Sequence, residues 1–323
     1  MSFVVGPHFW EGYLAMTANI SLYRRDLLFA GLGGGTLALS TGSAKALHSP
    51  AWESLSERER FHIYIKLVGS LDTSDVYIWF KGVLWGALPQ RLPVPFCGFQ
   101  GLARHRWTAN EKEGVFLQKS FDVGFFSDLE TGLPIREISN PLTGETNQVF
   151  HNKYGGFERK HNFAEFIERG DDKSGKTKRD WRTAGNQACL NEISSGQFTS
   201  KLQPEKWPRE TSGPLNFYAG ETSYSTQLDH LLDPNVRQAD FAMFWSSFSP
   251  WEPWLLMDAA PGNAQWRATG MKLNSYKDAP REMLEFIEKD QPNYFDDADP
   301  WPGVLSNTDR FIEARSPQKL AVS

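Results

Sequence analysis

Asp122 is the first residue of this chain that invites a chemical reading. It stands in VFLQKSFDVGFFS, residues 115 to 127, where apolar and polar residues alternate. In a strand Ser120, Asp122, Gly124 and Phe126 share one face. A carboxylate in the middle of an aromatic strand has two readings. It is either an enclosed general acid or base, its pKa raised by burial, or the structural partner of a nearby arginine. Arg104, His105 and Arg106 close the preceding apolar stretch. In a strand the two arginines share one face and His105 takes the other. Arginines facing a cavity can bind a carboxylate or phenolate; if they face solvent, His105 points inward. Glu137 and His151 fall at strand ends, where a barrel mouth places ligand-contacting groups. The candidate catalytic residues are therefore Asp122, His105 and His151. Arg104, Arg106 and Glu137 are candidate ligand contacts.

Aromatic residues supply the other candidates. The chain has 12 Trp and 23 Phe, enough to fill a thick core or to line an apolar pocket. Trp79 and Trp85 on one segment, Tyr218 and Tyr224 on a second, and Trp245, Trp251 and Trp254 on a third are the expected pocket walls. His151, His161 and His230 match no ligand spacing such as HExxH, so no metal is expected. No nucleophile elbow, phosphate loop or dinucleotide fingerprint occurs, so no cofactor is expected. Cys97 and Cys189 are either a disulfide or two free thiols, and their spacing does not decide between them.

The elements that must hold these residues read as consecutive antiparallel strands. Residues 76 to 151 alternate in polarity and are cut by turn residues at short intervals. Gly82 and Gly86 predict a bulge or bend. Asp128 to Gly132 and Asn140 to Gly144 read as hairpin loops ending in glycine. Strands resume near Cys189 to Ser194, Gly196 to Leu202, Pro214 to Ser225 and Ala264 to Leu273. Trp52 to Glu59 and Ala279 to Lys289 read as helices, whereas Phe61 to Val68 reads as a strand that opens the sheet. Residues 151 to 185 are charged and poor in β-branched residues, with a short helix expected over 163 to 169 and a solvated loop, rich in Lys and Asp, after it. The fold class is mainly β, with some α. Its expected core is a curved antiparallel sheet closing into a calycin- or lipocalin-like barrel or half-barrel, with a few peripheral helices.

The N-terminus reads as an address. Arg24-Arg25 precedes a mild apolar run from Leu27 to Leu39, and Ala44-Lys45-Ala46 offers small residues two apart. This resembles a twin-arginine (Tat) signal peptide over residues 1 to 46, with Met1 or Met16 as the start. The expected division is signal 1–46, one β-rich domain 47–300 and a loose tail 301–323. The expected location is periplasmic, with the Tat machinery as a partner during export. The whole chain has a formal charge of −5. Loss of residues 1 to 46, with three basic and two acidic side chains, makes it one unit more acidic. That balance argues against a nucleic-acid partner. No later segment is apolar for long enough to span a bilayer as a helix.

Three pieces carry a family resemblance. They are Val76 to Gly86, Asp122 to Glu145 with its DLETG and NPLTGE turns, and Trp245-x5-Trp251-Glu-Pro-Trp254 followed by Gly270-x-Lys272-Leu273. In this order they resemble the DUF1838 family, proteins of unknown function, from about Phe61 to Tyr294. Relatives often carry Glu where this chain has Asp122 and Trp where it has Ile138. The resemblance implies no chemistry. The residues themselves support binding or carriage of an apolar small molecule, aromatic or isoprenoid, in a cavity. The alternative is a cofactor-independent lyase, isomerase or hydrolase using acid–base groups of that cavity.

Overall fold

The computed structural model describes residues 49–164, 177–296 and 306–315. The signal-like segment, most of the helix expected over 163–169 and most of the solvated loop after it lie outside the described residues. Eleven strands are seen among the described residues: β1 (Ser74–Ala87), β2 (Val94–Asn110), β3 (Val115–Ser127), β4 (Glu137–Ser139), β5 (Thr146–Gln148), β6 (Lys153–Asn162), β7 (Thr177–Ala184), β8 (Gln187–Thr199), β9 (Leu215–Gln227), β10 (Ala242–Ser249) and β11 (Asn263–Leu273). Nine of them form one antiparallel sheet, ordered β6-β3-β2-β1-β11-β10-β9-β8-β7, while β4 and β5 make a separate hairpin. The sheet curls through 236° and stays open, a half-barrel.

Near the centre of the curled sheet β1 shifts register against β2 between Leu84 and Trp85, and Gly82 makes room for β11. A Cβ there would lie 2.0 Å from the carbonyl oxygen of Arg267. Only glycine lets β1 and β11 approach so closely at the centre of the sheet. Gly101 does a different job: a Cβ on it would lie 2.2 Å from the Phe80 ring. Its bare backbone lets Phe80 settle on the concave surface.

The concave side is filled at one end by α2 (Glu57–Val68), which follows the short α1 (Pro50–Glu53). Phe61, Ile63, Tyr64, Ile65 and Leu67 of α2 pack with Val76, Ile78 and Trp107 from one limb and Ala188 and Leu190 from the other. Residues 61–68 are thus a helix and not the strand that their loose alternation predicts. Ser56 and Glu59 form a reciprocal capping box that starts it. A plug buried on several sides also loses the 3.6-residue polar stripe that marks a surface helix. Lys272 of β11 closes its far end, its ammonium donating to the carbonyls of Leu67 (2.6 Å), Gly69 (3.0 Å) and Lys66 (3.3 Å).

The other end holds a second cluster, with Leu84, Phe96, Phe126, Trp251, Trp254 and Trp266. On the convex side α4 (Arg281–Asp290) and the segment after it cover β1 to β3 through Met283, Ile287 and Tyr294. The Tyr294 hydroxyl lies 2.9 Å from the Leu102 carbonyl and 3.0 Å from that of Phe121, pinning the segment to two strands.

Two further expectations are corrected. Residues 153–162 and 177–184, in a charged stretch where no strand is expected, are the outermost strands β6 and β7. An edge strand has one neighbour, so charged side chains suit it and alternation weakens. Asn307–Arg315, expected as loose tail, forms α5, with Phe311 buried in the second cluster. A short helix, α3 (Leu228–Leu232), links β9 to β10. Cys97 and Cys189 are both free thiols. Among the described residues no helix is long and apolar enough to cross a membrane.

Candidate functional site

Between the two concave clusters lies a cavity of about 390 Å³. Strand pairing sets its floor. Ile78 pairs with Ala103 and Ala103 with Asp122, while Val76 pairs with His105 and His105 with Ser120. Paired residues share a face, so the β1–β2–β3 limb presents Ile78, Phe80, Ala103, His105 and Asp122 together. The opposite limb contributes Tyr218, Thr222 and Tyr224 of β9, Met243 and Trp245 of β10, and Trp266 of β11.

Asp122 Oδ1 lies 3.6 Å from His105 Nε2. That oxygen is sealed from solvent and has no hydrogen bond at normal length. The imidazole is oriented from below. Gln118 Nε2 donates to His105 Nδ1 (3.1 Å) and to Ser120 Oγ (3.1 Å), and Gln118 Oε1 accepts from His161 Nε2 (3.0 Å). With Nδ1 accepting, the proton of the neutral His105 ring sits on Nε2 and is directed at Asp122. His161, stacked on Trp107 at 5.0 Å, is held neutral, since burial pulls its pKa down to about 3. A polar string, Asp122–His105–Gln118–His161, therefore runs along the floor, and Asp122 is its end nearest the open space.

The walls are aromatic. Phe80, Phe99 and Trp245 meet with ring planes at 62°, 79° and 80° to one another. They make a three-sided corner, and Trp266 stacks behind Trp245 at 5.9 Å. Burial raises the Tyr224 hydroxyl well above its usual pKa, so it stays a neutral phenol.

Other residues singled out in the sequence lie elsewhere. Arg104 and Arg106 point to the convex side, where both grip Asp75. Burial alone would raise the Asp75 carboxyl, but hydrogen bonds from Arg106 and Arg104 outweigh it and hold its pKa low. Arg104, fully buried, also donates to the carbonyls of Tyr294 and Asp296. Its role is to fasten the C-terminal segment. Trp79 donates to Gln100 at 3.4 Å beneath the Lys81 ammonium, and Trp85 lies under the Arg267 guanidinium. His151 accepts the Phe126 backbone N–H and meets Phe286 edge-on, away from the cavity. Glu137 is exposed and accepts from Gln148. His230 is exposed on α3, so the three histidines do not converge.

Trp251 and Trp254 line a second recess of about 310 Å³ with Asn216, Glu252 and Phe311. Glu252 keeps partial solvent exposure, yet its carboxyl sits deep enough that burial pushes its pKa up to about 7. Among the described residues no three His, Cys, Asp or Glu side chains are grouped to hold a metal ion.

Phe80, Phe99, Trp266, Met243 and Gln118 belong to the site and were not singled out by sequence. Gln118 carries the one usable signal, since it lies four residues before Asp122 and so on the same strand face. The rest depend on which strands adjoin, which alternation does not encode. No curated protein matches the chain. The family model described as a protein of unknown function, DUF1838, matches residues 73–302, from the start of β1 past α4. The chain belongs to the DUF1838 family.

Proposed function

We propose that the half-barrel is a receptor for a small molecule with an apolar body, aromatic or isoprenoid, held in the concave cavity. The observation that carries this reading is the corner of Phe80, Phe99 and Trp245 beside a space of ligand size, with His105 and Asp122 on one limb and Tyr218, Thr222 and Tyr224 on the other among its few polar groups. Small-molecule sites are commonly apolar concavities of roughly 300–1,000 Å³ with a few placed polar groups. The signal-like N-terminus adds the proposal that this receptor works after export to the periplasm. The test is a titration with a neutral fluorescent probe, N-phenyl-1-naphthylamine. Saturable binding that Trp245→Ala weakens at least about tenfold, the equilibrium factor of about 1.4 kcal/mol, supports the proposal. Unchanged affinity in that variant counts against it.

A second reading, cofactor-independent acid–base catalysis, is favoured by the Asp122–His105 contact. Gln118 occupies one imidazole nitrogen, so His105 orients and Asp122 is the group left to exchange a proton with a ligand. On that reading Asp122→Asn removes turnover and leaves probe binding intact.

A further inference from the structure

We infer that the cavity is built for an organic cation: a molecule carrying a quaternary or tertiary ammonium on its apolar body. The inference rests on the receptor reading above and adds the charge of the ligand.

Three observations converge on it. First, the Asp122 side chain is about a quarter exposed, yet one of its carboxylate oxygens has no hydrogen-bond partner. Its Oδ1 is sealed from solvent, and the nearest donor, His105 Nε2, is 3.6 Å away, beyond a good hydrogen bond. A carboxylate so placed is stabilised by a positive charge brought to it. Second, no described lining residue brings that charge, and Arg159 of β6, on the same face, is paired with Gln118, four residues from Asp122. No lysine or arginine is among the described residues that line the cavity. Arg104 and Arg106 are committed to Asp75 on the other face, and Arg179 of β7 to Glu192 of β8 at 2.8 Å. His105 turns only its Nε2 toward Asp122, because Gln118 presents an N–H to its Nδ1, and Gln118 is held that way by His161. Third, the walls are ring systems whose faces carry negative potential. Phe80, Phe99 and Trp245 stand at 62°, 79° and 80° to one another, so the rings lining the space are turned in more than one direction. An ammonium desolvated against such faces gains cation–π attraction that an uncharged group of the same shape does not. Gly101 and Gly124 pair one step along the strands from Asp122 and Ala103. Phe80 rests on Gly101, so the aromatic corner begins roughly 7 Å along the strand direction and about 5 Å, one strand, across from the carboxylate. That spacing lets one small cation address both.

The test compares benzyltrimethylammonium with neopentylbenzene, its neutral carbon isostere, by tryptophan fluorescence titration of the whole chain. The wild type should bind the ammonium at least about tenfold more tightly than the isostere. Asp122→Asn should erase that preference, and Asp122→Glu, which keeps the charge, should retain most of it. Circular dichroism of both variants checks that the fold persists. Equal binding of the two compounds overturns the cation inference and leaves the receptor reading standing. A preference that survives in Asp122→Asn overturns it as well, because the carboxylate is then not its source. Binding of neither compound overturns the inference together with the receptor reading.

Discussion

Asp122 and Glu252 each line a recess that aromatic residues also line, and their surroundings differ in what they offer. Asp122 has an imidazole N–H aimed at it, whereas Glu252 in the second recess has burial acting on it alone. Burial carries the Glu252 pKa from 4.5 up to about 7. A raised carboxyl pKa means that the folded state binds more protons than the unfolded chain between those two values. Its stabilising contribution is full below the unfolded pKa and is lost as pH rises through the folded one. Wild type should therefore lose more stability than Glu252→Gln between pH 4.5 and 8, the variant being relatively favoured at the high end. Urea midpoints of the two proteins at each pH check this. A wild-type-to-variant difference that does not change with pH rejects the buried-acid account.

At the scale of elements, α2 decides whether there is a cavity or a filled trough, since it occupies one end of the concave face and stops short of the aromatic corner. Its C-terminal carbonyls point at Lys272, whose ammonium burial draws down to about 7 while Asp240 pulls the other way. Lys272→Met keeps the stem and removes the donors, leaving the carbonyls of Leu67 and Gly69 short of that partner, while the Lys66 carbonyl keeps the Ala239 N–H at 3.0 Å. The expected cost is about 2–3 kcal/mol, because buried acceptors lose their hydrogen bonds without gaining water. Urea unfolding measures it, and a loss under about 0.5 kcal/mol would mean that the helix end is satisfied some other way. The same element marks the boundary of what sequence could reveal. The strands from Val76 to Ser127, and those at 215–225 and 264–273, were legible because one buried face imposes alternation, whereas β10 read only as an aromatic segment. Residues 61–68 were not, since a plug surrounded by sheet needs apolar side chains in most directions. The edge strands β6 and β7 hid for the opposite reason, carrying charge where one side has no neighbour. Alternation also placed His105 opposite the two arginines in face. It could not say that Asp75 would claim both arginines, nor that His105 and Asp122 would sit on adjoining strands.

At the scale of the molecule, the open half-barrel and the address before it make separate claims. Replacing Arg24 and Arg25 with lysine should hold the chain in the cytoplasm, because a twin-arginine pathway reads that pair. Fractionation and blotting check it, and mature protein still reaching the periplasm removes the export proposal. The central claim is that the concave cavity, with Asp122 at its floor and the Phe80, Phe99 and Trp245 corner as its wall, receives a small molecule. The most direct measurement follows the indole N–H resonances of ¹⁵N-labelled protein during titration with N-phenyl-1-naphthylamine, assigned by single tryptophan substitutions. The account predicts saturable shifts at Trp245 and Trp266, the two tryptophans that line the cavity, with Trp52, Trp181 and Trp254 still. Shifts centred on Trp254, or none that saturate, would contradict it.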